Sequence, residues 1–165
     1  MTRYYPLCLD VSGKRCVVVG GGNVAERKVR RLLACGAQVE IVGKTLTSAL
    51  TTWKRQGKLI HNKADYKESC LPGATLVIGA TDNERVNTQI ASDARSRGIP
   101  VNIVDEPALC DFILPSVVER GDLLLAVSTG GKSPALSAKL REDLEETFGP
   151  EYAVLVEILG KLRER

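Results

Sequence analysis

Short apolar runs alternate with amphipathic segments along the first two thirds of the chain. The runs are rich in Val and Ile and are bounded by glycines or polar residues, which is typical of strands buried on both faces of a parallel sheet. They predict five strands, over residues 15–20, 38–42, 58–61, 75–79 and 101–104. Apolar residues at helical spacing predict intervening helices over residues 25–35, 48–55 and 83–97. Strands that alternate with helices indicate an α/β fold with a doubly wound parallel sheet.

The pattern changes after residue 110. The predicted elements there are an antiparallel hairpin and two helices, over residues 112–119 and 123–128, then 135–148 and 151–165. Pro115 lies near the start of the hairpin, and Ser133 with Pro134 supplies an N-cap and a first-turn proline. Because an exposed two-stranded pair needs a cover, we expect this part to form a dimer contact. The expected parts are residues 1–112, a hairpin and helix dimerisation domain over 113–148, and a terminal helix over 149–165.

The composition is that of a globular protein with one sizeable core: 165 residues, 44% hydrophobic and 26% charged. The five cysteines show no metal-site spacing, and an odd number argues against a closed disulfide framework, so we expect a reducing compartment. There is no signal-peptide pattern and no apolar stretch near the roughly 18 residues of a membrane span. These features predict a cytoplasmic protein without a membrane partner.

The charge and aromatic content disfavour a nucleic-acid partner. The net charge is only +3, and one Trp, four Tyr and two Phe offer little surface for base stacking. Four basic residues gather around the hairpin and the helix after it: Arg120, Lys132, Lys139 and Arg141. They form either a solvated face or contacts for a polyanionic ligand.

The strongest local motif lies directly between the first strand and the first helix. Residues 20–25, Gly-Gly-Gly-Asn-Val-Ala, satisfy the G-x-G-x-x-A pattern of dinucleotide-binding Rossmann domains. Gly20 allows a tight turn, Gly22 lets a pyrophosphate approach the backbone, and Ala25 permits close packing of helix on strand. The amino terminus of the helix presents N–H groups to the phosphates. Residues 1–112 are therefore expected to bind NAD or NADP.

The choice between NAD and NADP stays open at this point. An acidic residue usually holds the ribose at the end of the second strand, but here that end is Gly43-Lys44-Thr45. Glu40 lies inside the strand and is expected to point elsewhere. Lys44 could even favour a 2′-phosphate, and the glycines alone do not exclude S-adenosylmethionine.

Polar residues follow the fourth and fifth strands at the edge of the sheet where ligands of α/β folds bind. Thr81 and Asp82 end the fourth strand, and Asn102 and Asp105 flank the end of the fifth. Asp105 is the candidate acid or base. Helix capping and a local turn are the simpler explanations for these residues. The single histidine, His61, is expected on a strand of modest burial in a surface setting, without a catalytic or metal role.

Together these residues resemble a known family more closely than a generic nucleotide-binding domain. The matching segments are VGGGNVAERK at 19–28, ATDN at 80–83, VNIVD at 101–105, FILPS at 112–116 and AVSTGGKSP at 126–134. The chain resembles the precorrin-2 dehydrogenase/sirohydrochlorin ferrochelatase family, the amino-terminal module of siroheme synthases. This resemblance spans nearly the whole chain.

The resemblance implies an NAD-dependent oxidation of precorrin-2 to sirohydrochlorin in siroheme biosynthesis. It implies a homodimer formed through the hairpin domain, with the tetrapyrrole between the nucleotide domain and the partner subunit's small domain. Asp105 would be the catalytic aspartate, Asn23 and Val24 would contact the cofactor phosphates, and Lys44 and Thr45 the adenosine end. We expect Thr81, Asp82 and Asn102 to complete the cofactor site. The expected substrate contacts are Ser128, Thr129 and Lys132.

The resemblance also implies that some members of this family insert ferrous iron into sirohydrochlorin with the same aspartate. In that case Asp105 would also handle ferrous iron as a substrate, and the sequence leaves both options open. The alternative class is a module that binds a nucleotide or a tetrapyrrole without turnover. A third interpretation is an unrelated Rossmann dehydrogenase or methyltransferase.

Overall fold

Five parallel strands form the sheet of the first unit, Tyr5–Phe112. The structure is a computed structural model that describes residues 3–163. The strands are β1 Arg15–Val19, β2 Gln38–Val42, β3 Leu59–Asn62, β4 Leu76–Gly79 and β5 Val101–Ile103, in the order β3-β2-β1-β4-β5. The helices of this unit are α1 Asn23–Ala34, α2 Ser48–Arg55 and α3 Glu84–Ser96. The predicted doubly wound parallel sheet is confirmed.

Alternate residues of each strand pack on opposite faces of the sheet. Val18 of β1 belongs to the same buried cluster as Val29 of α1, whereas Val17 belongs to a second cluster with Ile90 of α3. All four side chains are fully buried. Since each buried aliphatic side chain contributes about 1.5–3 kcal/mol, these two layers hold the carboxyl ends of the strands in fixed positions.

Two element boundaries differ by more than one residue from those predicted. Helix α1 begins at Asn23 instead of residue 25, because Gly22 has extended backbone angles and is the N-cap residue. The first hairpin strand begins at Ser116 instead of residue 112. Pro115 has no N–H to donate to a partner strand, and the carbonyl oxygen of Phe112 accepts a 2.9 Å hydrogen bond from Asn102 of the first unit.

The second unit begins at Ile113 and contains an antiparallel hairpin and two helices. Its elements are β6 Ser116–Arg120, β7 Leu123–Val127, α4 Pro134–Thr147 and α5 Glu151–Arg163. The Ser133 hydroxyl caps α4 by accepting from the Leu136 N–H at 3.2 Å. Residues 164 and 165 of the predicted last helix lie outside the described residues. Within residues 3–163, no helix combines the length and the apolar content that crossing a membrane requires.

Candidate functional site

The glycine turn between β1 and α1 is packed closely on two sides. Gly20 has a φ of 112°, and a Cβ atom there would overlap the carbonyl oxygen of Ala80. A Cβ atom on Gly21 would overlap the carbonyl oxygen of Thr45. Glycine alone fits these two positions. The turn therefore lies between the loops that follow β4 and β2.

The amino terminus of α1, in contrast, faces open space. A Cβ atom on Gly22 would meet nothing within 4 Å, and this N-cap residue has no side-chain cap. The Glu26 N–H donates to the Gly22 carbonyl oxygen at 2.9 Å, so the N–H groups of residues 23–25 precede the first helical hydrogen bond. Ala25 is fully buried, which lets the helix lie close to the sheet. Such a terminus fits the pyrophosphate of a dinucleotide.

The loop after β2 is tied to the end of β3. The Gly43 N–H donates to the Asn62 carbonyl oxygen at 3.1 Å, and His61 Nε2 donates to the Gly43 carbonyl oxygen at 2.8 Å. His61 is half-buried on β3, as expected, and it supports this loop. Lys44, which the sequence offered to a 2′-phosphate, lies 2.8 Å from a carboxylate oxygen of Asp65.

Glu40 points away from this loop, as expected. Its carboxylate accepts two hydrogen bonds from the Arg15 guanidinium, at 3.1 and 2.8 Å. Arg15 also donates to the carbonyl oxygens of Cys70 and Pro72. Since Arg15 begins β1, this network fastens the opposite end of the sheet from the glycine turn.

The residues after β4 form a compact hydrogen-bonded corner. Thr81 Oγ1 donates to Asn87 Oδ1 at 2.7 Å, and Asn87 Nδ2 donates back to the Thr81 carbonyl oxygen at 2.9 Å. Asn83 caps α3 by accepting from the Val86 N–H at 3.2 Å. Asp82 is exposed. Asn87 was not singled out in the sequence, although its place one turn into α3, facing the strand end, is readable from the helical period.

Beyond β5, the chain folds back along the outer edge of this strand. The Val101 N–H donates to the Asp111 carboxylate at 3.2 Å, and the Asp111 N–H donates to the Val101 carbonyl oxygen at 2.8 Å. Asn102 is buried and directs its amide to the Phe112 carbonyl oxygen. The Asn102 side chain thus holds the loop, and its direct contact with a cofactor stays a prediction.

Asp105 lies at the tip of this loop, next to the end of β5. It is exposed and has a φ of 62°, the only positive value at a non-glycine residue within residues 3–163. Asp tolerates the left-handed region better than most residues do, but the conformation is uncommon and concentrates at functional sites. The carboxylate is therefore presented to solvent on a defined backbone turn.

The Cys110 thiol fastens the turn that carries Asp105. Its Sγ accepts from the Ile103 N–H at 3.2 Å and lies 3.1 Å from the Ile103 carbonyl oxygen and 3.3 Å from that of Glu106, to which the thiol can donate. Burial is the main cause that raises the pKa of Cys110. The hydrogen bond from the Ile103 backbone lowers this pKa by less than burial raises it. The thiol form, which can both donate and accept, is thus favoured. In the sequence Cys110 had indicated only a redox compartment.

Lys28 brings a positive charge to the same place. It follows the glycine turn on α1 and is half-buried, and burial lowers the pKa of its ammonium group, as does the neighbouring Arg27. Asp105 and Cys110 act in the opposite direction on this pKa, so Lys28 interacts electrostatically with both. The sequence motif contained Lys28, but no role followed from it.

The second unit contains a cavity of about 160 Å³ beside the loop after β7. Ser128 and Thr129 line it together with Pro115 and Ser137. The Thr129 hydroxyl donates to the Ser133 carbonyl oxygen at 3.0 Å and lies 3.2 Å from Ser137 Oγ. Two predicted substrate residues therefore do share a cavity, whereas Lys132 is exposed beyond its lining.

The other basic residues expected near the hairpin have partners within the second unit. Arg120 donates to the carbonyl oxygens of Phe148 and Glu145 at 2.8 and 3.1 Å. Arg141 pairs with Glu145 at 2.6 Å. Lys139 pairs with Asp143 at 2.7 Å, which raises its pKa. These three residues therefore do not present a free basic cluster to a ligand. Lys139 and Arg141 are paired with acidic residues one helical turn further along α4. The guanidinium of Arg120 is hydrogen-bonded to backbone oxygens.

No group of three or more His, Cys, Asp or Glu side chains in the described part of the chain is arranged to hold a metal ion. All five cysteines are free thiols.

Comparisons with known proteins add to this geometry. Residues 7–116 match a family described as "Putative NAD(P)-binding", and residues 120–147 match one described as "Sirohaem biosynthesis protein central". Siroheme synthases of Nitrosococcus oceani and Nitrosospira multiformis are 40% and 43% identical to the chain over 99% and 98% of its length. The chain spans only 35% of each of these relatives. The solved structure of "SirC, precorrin-2 dehydrogenase" has a TM-score of 0.81 and 28% identity, with 97% of this chain and 79% of that chain covered.

Proposed function

The chain belongs to the NAD(P)-binding family that matches residues 7–116, and from this premise we propose that it oxidises precorrin-2 to sirohydrochlorin with NAD as the hydride acceptor. The resemblance to the siroheme synthase family agrees with the relatives at 40% and 43% identity. The activity is carried over from similar proteins. Among them, this chain covers 79% of the precorrin-2 dehydrogenase structure but only 35% of each siroheme synthase.

One observation carries the proposal. The strands β1, β4 and β5 are parallel, so their carboxyl ends lie at one edge of the sheet. At that edge lie the open amino terminus of α1, which suits a pyrophosphate, and the exposed carboxylate of Asp105. A dinucleotide site next to a fixed carboxylate is what removal of a hydride and a proton requires.

We assign the cofactor to the residues predicted from the sequence. The glycine turn and the first turn of α1 would hold its phosphates, the loop after β2 its adenosine end, and the loop after β4 the side toward Asp105. The residues are Gly20, Gly22, Asn23, Val24, Ala25, Lys44, Thr45, Thr81, Asp82 and Asn102. When bound, NAD supplies the acceptor for the hydride.

The residues of the chain then handle the proton and the charge of the substrate. Asp105 accepts the proton that precorrin-2 loses, and the turn fastened by Cys110 holds the backbone that carries it. The positive charge of Lys28 interacts electrostatically with Asp105, and it suits a substrate with many carboxylates. Ser128, Thr129 and Lys132 are the proposed substrate contacts of the second unit. Insertion of ferrous iron, as a second substrate at Asp105, stays a prediction.

The second unit would form a homodimer. Helix α5 has no buried residue, and five of its apolar side chains are 46–60% exposed: Val154, Leu155, Ile158, Leu159 and Leu162. Leu136 and Leu140 of α4 are 50% and 40% exposed. An apolar surface of this kind marks an interaction site. A second copy of the chain is the proposed partner that covers it.

The test mixes the protein with precorrin-2 and NAD without oxygen and follows NADH and sirohydrochlorin by absorbance. NADH formation at the rate of sirohydrochlorin formation is expected. Asp105→Asn should lower kcat by about 100-fold or more, the usual contribution of a general base, while NADH binding persists. Asn also tolerates a φ of 62°, so this variant removes charge without straining the turn.

Asp122→Asn is the matched control, because Asp122 is exposed in the β6–β7 turn. It should turn over at the wild-type rate. A wild-type protein that binds NADH yet yields no sirohydrochlorin would refute the dehydrogenase and leave a binding module. An Asp105→Asn variant with full activity would remove Asp105 from the reaction.

A further inference from the structure

Two loops of the first unit run side by side past the ends of β2 and β3. The strands are parallel, with Val42 opposite Asn62, and the Gly43 N–H bonds the Asn62 carbonyl oxygen at 3.1 Å. The backbone therefore places Lys44 of one loop beside Asp65 of the other. Their side chains meet at 2.8 Å.

This ion pair contributes little to folding. Lys44 is 69% and Asp65 75% exposed, and exposed pairs are typically worth about 0–1 kcal/mol. Its position is more informative than its strength, because the end of the second strand is where Rossmann domains hold the adenosine ribose, usually with an acidic residue. β2 itself supplies no such residue at its end.

Two other acidic residues, one inside β2 and one beside the end of the loop that follows it, are bound by other partners. Glu40 accepts from Arg15 at the other end of β2. Glu26 accepts from the Thr47 hydroxyl at 2.7 Å and from Arg30 at 3.0 Å, and the hydrogen bond from Thr47 is the largest cause of its lowered pKa. Asp65, in the loop after β3, is thus the carboxylate that lies next to Lys44 at the end of β2.

We propose that Asp65 selects NAD over NADP. This inference rests on the proposed nucleotide site and deepens it. The Asp65 carboxylate repels a 2′-phosphate dianion and occupies the ammonium group of Lys44 that would otherwise attract it. The 2′-hydroxyl of NAD carries no charge and meets neither penalty.

The test measures binding of NADH and NADPH to the full chain by nucleotide fluorescence, so it needs no tetrapyrrole. The wild type should bind NADH more tightly. Asp65→Asn keeps the side-chain shape, and it should lower the ratio of the NADPH to the NADH dissociation constant roughly tenfold or more, the scale of one removed like-charge contact at a solvated surface. Adding Lys44→Ala to Asp65→Asn should reverse the part of this change that the freed ammonium group causes, while the part due to the removed repulsion remains.

Asp143→Asn is the matched control, since Asp143 is also an exposed aspartate paired with a lysine, 2.7 Å from Lys139 in the second unit. It should leave the ratio unchanged. An unchanged ratio in Asp65→Asn while NADH binds would overturn this inference alone, whereas a wild type that prefers NADPH would overturn both this inference and NAD as the proposed hydride acceptor. Failure of the wild type to bind either nucleotide would overturn the proposed function and this inference with it.

Discussion

Replacing Cys110 by Ala should destabilise the first unit by about 1–3 kcal/mol, the cost of leaving a buried backbone N–H without an acceptor. β5 is an edge strand, so the outward N–H of Ile103 has no neighbouring strand to bond. Instead, the Cys110 Sγ atom accepts the hydrogen bond from this N–H at 3.2 Å. Because Ile103 is only 1% exposed, a water molecule cannot easily serve as the acceptor when the thiol is removed. Cys110→Ser keeps a donor and an acceptor and should lose less than Cys110→Ala.

Urea unfolding monitored by the fluorescence of Trp53 measures this loss. Trp53 is the single tryptophan of the chain and packs against the core of the first unit, so its signal reports the unfolding of that unit. Cys35→Ala is the control, because Cys35 is exposed and surface substitutions usually change stability by less than about 0.5 kcal/mol.

The same variants connect the turn to the reaction. If Cys110 positions Asp105, Cys110→Ala should lower kcat for precorrin-2 more than it changes NADH affinity. A Cys110→Ala protein as stable as the Cys35→Ala control, or Ser and Ala variants of equal stability, would refute the assignment of the thiol as a hydrogen-bonding group.

Three further outcomes are expected. Burial raises the pKa of Cys16 from 9.0 to about 11, so the stability conferred by its neutral thiol is present below pH 9 and lost as the pH rises toward 11; urea titrations across that window should show a flatter decline for Cys16→Ala. Gly22→Val should fold normally, because its side chain meets open space, yet lose at least about tenfold in NADH affinity by obstructing the phosphates; equal affinity would contradict the phosphate assignment. Ile158→Glu should shift sedimentation from dimer to monomer, because Ile158 is 51% exposed on the proposed interface; a persistent dimer would place the interface elsewhere.

Much of the first unit was predictable because its signals are local. The boundaries of β2 and α2 agree with those predicted, over residues 38–42 and 48–55. Strand and helix periods, glycine turns and caps such as Asn83 act within a few residues of each other, so a single sequence contains them. The first hairpin strand begins later than predicted because the Asn102 amide, ten residues earlier in the chain, hydrogen-bonds the Phe112 carbonyl oxygen.

The sequence by itself determined the parallel sheet, the glycine turn and the helix that follows it, and it placed Asp105 at the end of β5. The tertiary structure decided which side chains meet there. Lys44 meets Asp65 across two loops, the Cys110 thiol completes the edge of β5, and Lys28 reaches the charge of Asp105 from another element. These contacts depend on strand order and loop path, which bring together residues far apart in the chain. The spacing of residues along a helix or strand does not predict contacts between residues so far apart. The charge interactions of the site could therefore be described only from the tertiary structure.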